Sequence, residues 1–368
     1  MPTSWIDEFT PHHVRNLDVY QPGKPIEELE RELGITGAIK VASNENPLGP
    51  SPKATAALPG ALPQLHRYPD AGGFALRRAL SAKLGVDIAE LALGNGSNDL
   101  LYQLVLATCE PTDEVLSHRC AFLSYRLSAQ VAGRPFVAAP TTPDLACDVG
   151  ALIGAITPRT KLVVLGSPNN PTGSVISRGD AERIVLALPA RALLVIDEAY
   201  GDYAAKWPEV DHVDGLALFR HDRRVVVLRT FSKIYGLAGL RIGFALGDRN
   251  VLELLGRVGR TFHVSSLAQV GAIAALDDTE HVERSAKLAR QMIEKMRAEI
   301  HARVYPSLGN FVLIDCNRPS TPVYDRLLRA GVIVRPMAAW GLPNHIRVSV
   351  AREPEMARVI AAINDALG

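Results

Sequence analysis

The sequence predicts an α/β fold, with a doubly wound, mainly parallel sheet in a large domain and a smaller α+β domain after it. Three short apolar runs, at residues 161–166, 192–196 and 225–228, are rich in Val, Leu and Ile, and helical stretches separate them. Runs of this kind are typical of parallel strands covered by helices on both faces. The length of 368 residues exceeds one domain of about 150 residues, which favours two domains.

The remaining segments before residue 250 complete the large domain. Residues 1–49 are polar and punctuated by proline, and we expect them to form an arm with a short helix at 26–33. Residues 50–250 are expected to form the large domain itself. Its further predicted elements are two helices and a fourth strand, at 100–107, 181–188 and 242–246.

The pattern changes after residue 250, and residues 251–368 are expected to form the small domain. Helical periodicity covers 251–260 and 267–300, with an interruption near Asp277. The other predicted elements alternate between strand and helix, at 311–315, 323–330, 332–335, 346–350 and from Glu355 to the end. This order predicts an α+β arrangement.

Composition and charge exclude several classes of protein. The chain has 40 basic and 39 acidic side chains, so nothing favours a nucleic acid or an anionic membrane as partner. Four scattered cysteines form no C-x-x-C pair, and His12 and His13 lack a third ligand, so no metal site is predicted. No apolar stretch reaches the roughly 18 residues of a membrane span, and the first ten residues are unlike a signal peptide. We therefore expect a cytoplasmic protein.

Polar motifs directly follow the three apolar runs. Their sequences are S-P-N-N-P-T-G at 167–173, D-E-A-Y at 197–200, and T-F-S-K-I-Y-G-L-A-G-L-R-I-G at 230–243. Because ligands bind outside the carboxyl ends of parallel strands, several of these side chains are expected to face one crevice. The residues concerned are Asn170, Asp197, Tyr200, Lys233 and Arg241.

Each motif alone has an ordinary structural explanation. Lys233 is compatible with a solvated loop lysine, Asp197 with a helix N-cap, and N-P-T-G with a plain turn. Three such motifs in this order, each at the end of a strand, favour a functional site instead.

A glycine-rich turn, G-N-G-S-N-D at 94–99, precedes the helix predicted at 100–107. A helix N-terminus after such a turn binds anions through its backbone N–H groups. The turn lacks the third glycine of a dinucleotide fingerprint and the Lys-Ser/Thr pair of a Walker loop. The sequence therefore predicts a phosphate site, and the alternative is a helix simply capped by Ser97.

A phosphate site, a lysine and a carboxylate together indicate pyridoxal 5'-phosphate as the cofactor. This cofactor binds covalently to a lysine amine, and a carboxylate keeps its ring nitrogen protonated so that the ring accepts electrons. It also needs hydrogen-bond donors at its phenolic oxygen and an anion cradle. The motifs offer candidates for all four requirements.

The three strand-end motifs resemble the signatures of the fold-type I aminotransferases. Within that group, the chain resembles the histidinol-phosphate aminotransferase family in further segments, at 20–25, 42–47, 67–70, 309–311, 331–336 and 346–349. The resemblance runs from about residue 12 to the end of the chain.

The resemblance implies a role for each matched residue. The implied catalytic residues are Lys233, which would hold the cofactor and carry a proton, Asp197 at the ring nitrogen, and Tyr200 at the phenolic oxygen. The other implied cofactor contacts are Asn170, before a cis bond to Pro171, Phe122 on the ring face, Gly96, Ser97, Asn98, Thr230, Ser232 and Arg241 around the phosphate, and Tyr68 from a neighbouring subunit. The implied substrate contacts are Tyr20, Asn46, Arg335 and Arg347. Phe122 is equally compatible with a core aromatic.

The resemblance also implies a reaction and an assembly. An amino group would pass from L-histidinol phosphate to 2-oxoglutarate, giving imidazole acetol phosphate and L-glutamate, as in histidine biosynthesis. A homodimer with shared active sites is implied, with the arm packed on the small domain and the dimer interface. His263, Ser265 and Trp340 differ from many relatives, so the substrate stays open. The alternatives are an aromatic aminotransferase, a threonine-phosphate decarboxylase and, more remotely, a non-enzymatic regulator with this fold.

Overall fold

The structure is a computed structural model that describes residues 5–15, 17 and 23–368. Its strands, in chain order, are β1 (Ile39–Lys40), β2 (Leu91–Gly94), β3 (Glu114–His118), β4 (Phe136–Ala139), β5 (Thr160–Gly166), β6 (Leu193–Asp197), β7 (Val225–Thr230), β8 (Gly243–Leu246), β9 (Arg303–Val304), β10 (Phe311–Asp315), β11 (Val332–Ile333), β12 (Arg335–Pro336) and β13 (His345–Ser349). Its helices are α1 (Trp5–Phe9), α2 (His12–Arg15), α3 (Ile26–Leu33), α4 (Pro52–Ala61), α5 (Phe74–Leu84), α6 (Ser97–Thr108), α7 (Leu123–Val131), α8 (Val149–Gly154), α9 (Arg178–Ala187), α10 (Gly201–Ala204), α11 (Gly215–His221), α12 (Arg249–Val258), α13 (Ser266–Leu276), α14 (Thr279–Glu299), α15 (Ser320–Arg329) and α16 (Glu353–Leu367). Among these described helices, none combines the length and the apolar character needed to cross a bilayer.

The described chain forms a large sheet with the strand order β2-β8-β7-β6-β5-β3-β4. Strands β3 to β7 run parallel to their neighbours within that group. Successive residues of β5 point to opposite faces: Val163 packs in one hydrophobic cluster with residues of α9, and Val164 packs in another with residues of α6 and α7. Helices therefore cover both faces of the sheet, which confirms the predicted doubly wound α/β fold.

The predicted fourth strand, β8, differs in direction from the other central strands. It runs antiparallel to both β7 and β2. The connection from β7, residues 231–242, contains one 3₁₀ turn at Ala238–Leu240, whereas a parallel crossover usually needs a full helix. Because Thr230 pairs with Gly243, this loop leaves and re-enters the sheet at the same edge.

A second, antiparallel sheet lies in the C-terminal part of the chain, in the order β12-β13-β10-β9. Helices α14 and α15 pack on its strands, and α16 packs on both helices. The prediction of one strand at 332–335 is wrong, because β11 pairs with β1 while β12 pairs with β13. The chain passes from one pairing to the other at Val334, a break that the apolar pattern does not reveal.

Helices α12 and α13 lie on the large-sheet side of the molecule. α12 packs on α6, and α13 packs on α4 and α5. The expected boundary after residue 250 assigns both helices to the small domain. We propose instead a boundary near Asp277, where α13 ends.

Helix α6 begins without a side-chain cap, unlike several of its neighbours. The side chains of Asp248 and Ser265 accept hydrogen bonds from first-turn N–H groups of α12 and α13. The N-cap of α6 is Gly96, which has no side chain to offer. The alternative of a helix capped by Ser97 is therefore wrong.

Candidate active site

The ends of β5, β6 and β7 open on a cavity of about 200 Å³. Most of the residues predicted from the sequence line it, namely Gly96, Ser97, Asn98, Phe122, Asn170, Asp197, Tyr200, Thr230, Ser232, Lys233, Arg241, Arg335 and Arg347. The structure thus brings together side chains from both sheets and from the N-terminus of α6.

Lys233 lies in the loop after β7 and projects into this cavity. Its Nζ donates a hydrogen bond to the backbone oxygen of Ser43 at 3.3 Å. Burial, together with the positive charge of Arg347, lowers the pKa of Lys233 from 10.5 to about 8. The side chain is therefore not a solvated loop lysine, and its neutral, nucleophilic form is accessible near neutral pH.

Asp197 is the last residue of β6, and its carboxylate is buried. The hydroxyl of Tyr125 donates to Oδ2 at 3.0 Å, and the backbone N–H of Ala199 donates to Oδ1 at 3.1 Å. Burial raises the pKa of Asp197 to about 6, although both hydrogen bonds oppose that rise. The next helix begins at Gly201 with Tyr200 as its N-cap, so Asp197 is not the helix cap of the alternative explanation.

Two hydrogen-bonded pairs line the wall between these groups. Asn44 Nδ2 donates to the hydroxyl oxygen of Tyr200 at 2.8 Å. Arg347 Nη1 donates to Asn170 Oδ1 at 2.6 Å, and its Nη2 donates to the backbone oxygen of Ala42. The bond from Asn170 to Pro171 is cis, as the family resemblance implies.

The anion site at α6 is shaped by close backbone contacts. Gly96 has a φ of 82°, and a Cβ atom there would lie 2.6 Å from Arg241 Nη2. A Cβ atom at Gly243 would lie 2.5 Å from the backbone nitrogen of Ser97. Glycine at both positions lets the guanidinium and the helix N-terminus converge, and Arg241 Nη1 also donates to Ser232 Oγ at 3.3 Å. This cradle of N–H donors and a guanidinium fits a phosphate group.

Arg335 and Trp340 form the opposite side of the cavity. The guanidinium carbon of Arg335 lies 5.5 Å from the centre of the Trp340 ring, within the range of a cation–π contact. Of the three residues that differ from many relatives, Trp340 lines the cavity, whereas His263 and Ser265 do not. Both ring nitrogens of His263 lie near backbone oxygens, and Ser265 caps α13.

Two predicted residues that the structure describes, Asn46 and Tyr68, do not line this cavity. The side chain of Asn46 turns toward α14 and hydrogen-bonds there, so its role as a substrate contact stays a prediction. Tyr68 is exposed and stacks on Phe262 at a ring distance of 4.6 Å. Tyr20 lies outside the residues that the structure describes.

Two lining residues whose side chains hydrogen-bond to predicted catalytic residues are not among the residues predicted from the sequence. Asn44 lies in the matched segment 42–47, in which Asn46 was the predicted substrate contact. Tyr125 lies in the first turn of α7, three residues after Phe122, the N-cap of that helix. Tyr125 lies outside the motifs and elements predicted from the sequence.

Together, the sheet and these side chains define the protein as an enzyme that acts on amino groups with the help of a phosphorylated cofactor. The chain belongs to the class I and II aminotransferase family, whose model matches residues 36–363.

Individual relatives agree with this assignment over nearly their whole lengths. The chain is 44% identical over 357 residues to histidinol-phosphate aminotransferase 1 of Nitrosococcus oceani, covering 96% of this chain and 95% of the relative. It is 44% identical over 362 residues to histidinol-phosphate aminotransferase of Anaeromyxobacter sp., covering 97% and 99%.

Solved structures give the same picture of the fold. The crystal structure of histidinol-phosphate aminotransferase from Sinorhizobium meliloti, in complex with pyridoxal-5'-phosphate, matches with a TM-score of 0.86 and 29% identity over 97% of each chain. A double mutant of Thermus thermophilus aspartate aminotransferase matches with a TM-score of 0.82 and 24% identity over 97% of this chain and 99% of that one, which speaks for the fold alone.

Proposed function

We propose that this protein is a pyridoxal-phosphate-dependent transaminase that converts L-histidinol phosphate and 2-oxoglutarate into imidazole acetol phosphate and L-glutamate, in histidine biosynthesis. The observation that carries the proposal is the 44% identity to relatives named histidinol-phosphate aminotransferase over 96% of the chain. The cavity supports it, because it offers both a phosphate cradle and two further arginines, Arg335 and Arg347, for an anionic substrate.

The residues of the cavity suit the cofactor group by group. Pyridoxal phosphate, when bound, supplies an electron sink that stabilises negative charge at the substrate carbon. Lys233 Nζ would attach the cofactor and, when free, carry the proton that moves between donor and acceptor carbons. Asp197 would hold the proton on the ring nitrogen, and Asn170 and Tyr200 would donate to the phenolic oxygen.

Two arginines would bind the substrate anions. Arg347, which is buried beside Asn170, and Arg335 would together bind the carboxylates of glutamate and the phosphate of histidinol phosphate. The oxygens of a carboxylate and those of a phosphate both match the paired N–H donors of a guanidinium. One site can therefore bind two substrates whose common feature is their negative charge.

A substrate panel tests the proposal. The protein is loaded with pyridoxal phosphate and assayed with histidinol phosphate, phenylalanine, tyrosine and threonine phosphate, each with 2-oxoglutarate. Histidinol phosphate should give the highest kcat/KM. A preference for the aromatic amino acids, release of carbon dioxide from threonine phosphate, or no turnover at all would overturn the proposed reaction.

The role of Lys233 is tested separately. Borohydride reduction of the loaded enzyme should fix the cofactor on Lys233, and Lys233→Ala should lose both the visible absorbance and transamination. A label on any other lysine would refute the assignment.

We also propose a homodimer in which Tyr68 reaches the cofactor phosphate of the partner. Tyr68 is 81% exposed and does not line the cavity of its own chain. Other large apolar side chains near it in the chain are also exposed, namely Leu62, Leu65 and Phe74. Several exposed large apolar side chains in one stretch of chain support an interface.

Subunit mixing tests the shared site. If Tyr68→Phe and Lys233→Ala are each inactive, heterodimers should regain activity, because one of their two sites is free of both changes. Verified subunit exchange without recovered activity would count against the shared site.

We further propose a cytoplasmic location, which four cysteines without disulfides support.

A further inference from the structure

The loop that carries Lys233 is held by the N-terminal segment 46–51. Asn46 Nδ2 donates to the backbone oxygen of Ile234 at 2.7 Å. The backbone N–H of Ser51 donates to the backbone oxygen of Tyr235 at 3.0 Å. A Cβ atom at Gly236 would lie 2.1 Å from the backbone oxygen of Gly49, so the two segments touch backbone to backbone. The carbonyls that follow Lys233 are therefore fixed by residues far away in sequence.

The amide of Asn46 also contacts the long helix α14. Its Nδ2 donates to Ser285 Oγ at 2.8 Å and lies 3.3 Å from His281 Nε2. Its Oδ1 accepts the backbone N–H of Leu48 at 3.0 Å. With the side chain about nine-tenths buried, this single amide joins three segments: the N-terminal segment, the lysine loop and α14.

The residues just before this N-terminal segment contact the amine of Lys233. Lys233 Nζ donates to Ser43 O at 3.3 Å, close in sequence to Asn46. Movement of this segment would thus change both the position of the Lys233 backbone and the surroundings of its amine.

We propose that Asn46 is a positioning residue for Lys233, acting through Ile234, and not a group that binds substrate. The proposal rests on the proposed role of Lys233 in holding the cofactor. A displacement of a reacting group by about 1 Å costs on the order of 100-fold in rate. Loss of one buried hydrogen bond that positions Lys233 is therefore expected to lower kcat strongly.

Three variants and one matched control test the proposal. Asn46→Asp keeps the size but replaces the Nδ2 donor with an oxygen, and Asn46→Ala removes the amide. Ser285→Ala deletes only the partner on α14 and keeps the residue that holds Ile234. The control is Asn364→Ala, because Asn364 also joins two segments by donating to Glu299 O at 2.9 Å and accepting from His301 N at 2.9 Å, away from the cavity.

The readouts separate positioning from mere stability. The visible absorbance of the loaded enzyme, titrated with pH, reports the protonation of the Lys233 nitrogen, and steady-state kinetics separate kcat from KM. Both Asn46 variants should shift the titration midpoint by about half a unit or more and lower kcat by about 10- to 100-fold, with KM for glutamate within about threefold. Ser285→Ala should shift both in the same direction by less, and Asn364→Ala should lower only the unfolding midpoint.

The opposite results are equally clear. Asn46 and Ser285 variants that behave like Asn364→Ala would overturn the proposal, and so would a raised KM with unchanged kcat, which would mark Asn46 as a substrate contact. If either Asn46 variant fails to fold, Ser285→Ala decides: an unchanged titration and kcat would overturn the proposal. Failure of the proposed function is distinguishable, because the wild-type enzyme would then lack the visible band or carry it on another lysine.

Discussion

Replacing Asp197 by Asn is expected to stabilise the cofactor-free protein while it destroys activity. Burial raises the pKa of Asp197 from 3.8 to about 6 in the folded protein, so the fold disfavours the ionised carboxylate. A carboxyl whose folded pKa is raised lowers stability as the pH rises from its unfolded pKa through its folded pKa. The wild-type protein thus loses stability between about pH 4 and pH 6, and the variant should not.

The size of the effect follows from the two pKa values. A difference of about two units corresponds to about 3 kcal/mol at pH 7, at 1.36 kcal/mol per unit. At pH 4 the penalty falls below about 1 kcal/mol, because the carboxyl is then largely protonated in the folded chain. An Asn side chain retains the size, accepts from Ala199 N–H, and can donate to the Tyr125 hydroxyl oxygen, so few other changes are expected.

Chemical denaturation of the cofactor-free proteins at pH 7 and pH 4 measures this difference. The control is Asp211→Asn, which removes an exposed carboxylate and should change stability by less than about 0.5 kcal/mol at either pH. With cofactor added, Asp197→Asn should still bind it but lose most of kcat. A variant no more stable than wild type at pH 7, or a gain of equal size at pH 4, would refute the reasoning.

Three further predictions concern the same cavity. Tyr125→Phe removes a donor to Asp197, so in the cofactor-free protein the pKa of that carboxyl rises further and the pH range over which stability falls should extend to higher pH; an unchanged range in denaturation from pH 4 to 8 would contradict this. Since the pKa of Lys233 is lowered to about 8, the rate of cofactor uptake by the cofactor-free enzyme should rise about tenfold from pH 7 to pH 9 and then level off, and a stopped-flow rate still climbing at pH 10 would argue against it. Arg347→Gln should lower kcat/KM for both substrates by about 10- to 150-fold, whereas Arg335→Gln should affect the phosphorylated substrate more than glutamate. Small, equal kinetic effects with lowered stability would instead identify these arginines as structural.

The strand-end positions were predictable because the motifs directly follow apolar runs. Asn170 and Lys233 follow parallel strands and Asp197 ends one, and the carboxyl ends of these strands meet at one edge of the sheet. Arg241 reaches the same edge for a different reason: it precedes β8, an antiparallel strand whose amino end lies there. Strand direction depends on the connection and not on the apolar pattern, so it was not predictable from that pattern.

Side-chain partners from distant segments were beyond the reach of sequence patterns. Asn44 has a φ of 54°, which breaks the alternation of an extended segment and points it to the cavity while Asn46 faces α14. Tyr125 occupies a helical position that predicts core packing, and its partner Asp197 is 72 residues away in the chain. Only the folded chain brings the hydroxyl and the carboxylate together.

The hairpin-like return from β7 to β8 also restricts where the chain can vary in length. Thr230 and Gly243 are opposite residues of one ladder, so the loop between them starts and stops at fixed points. Lys233 lies near the first point and Arg241 near the second, while Gly239 between them is exposed, with open space beside it. Extra residues inserted at Gly239 would bulge into solvent and leave both charged groups in register, whereas one residue added beside either strand would move Lys233 or Arg241 out of place in the cavity. Insertion scanning across 231–242 should therefore find one tolerant spot between two intolerant ones.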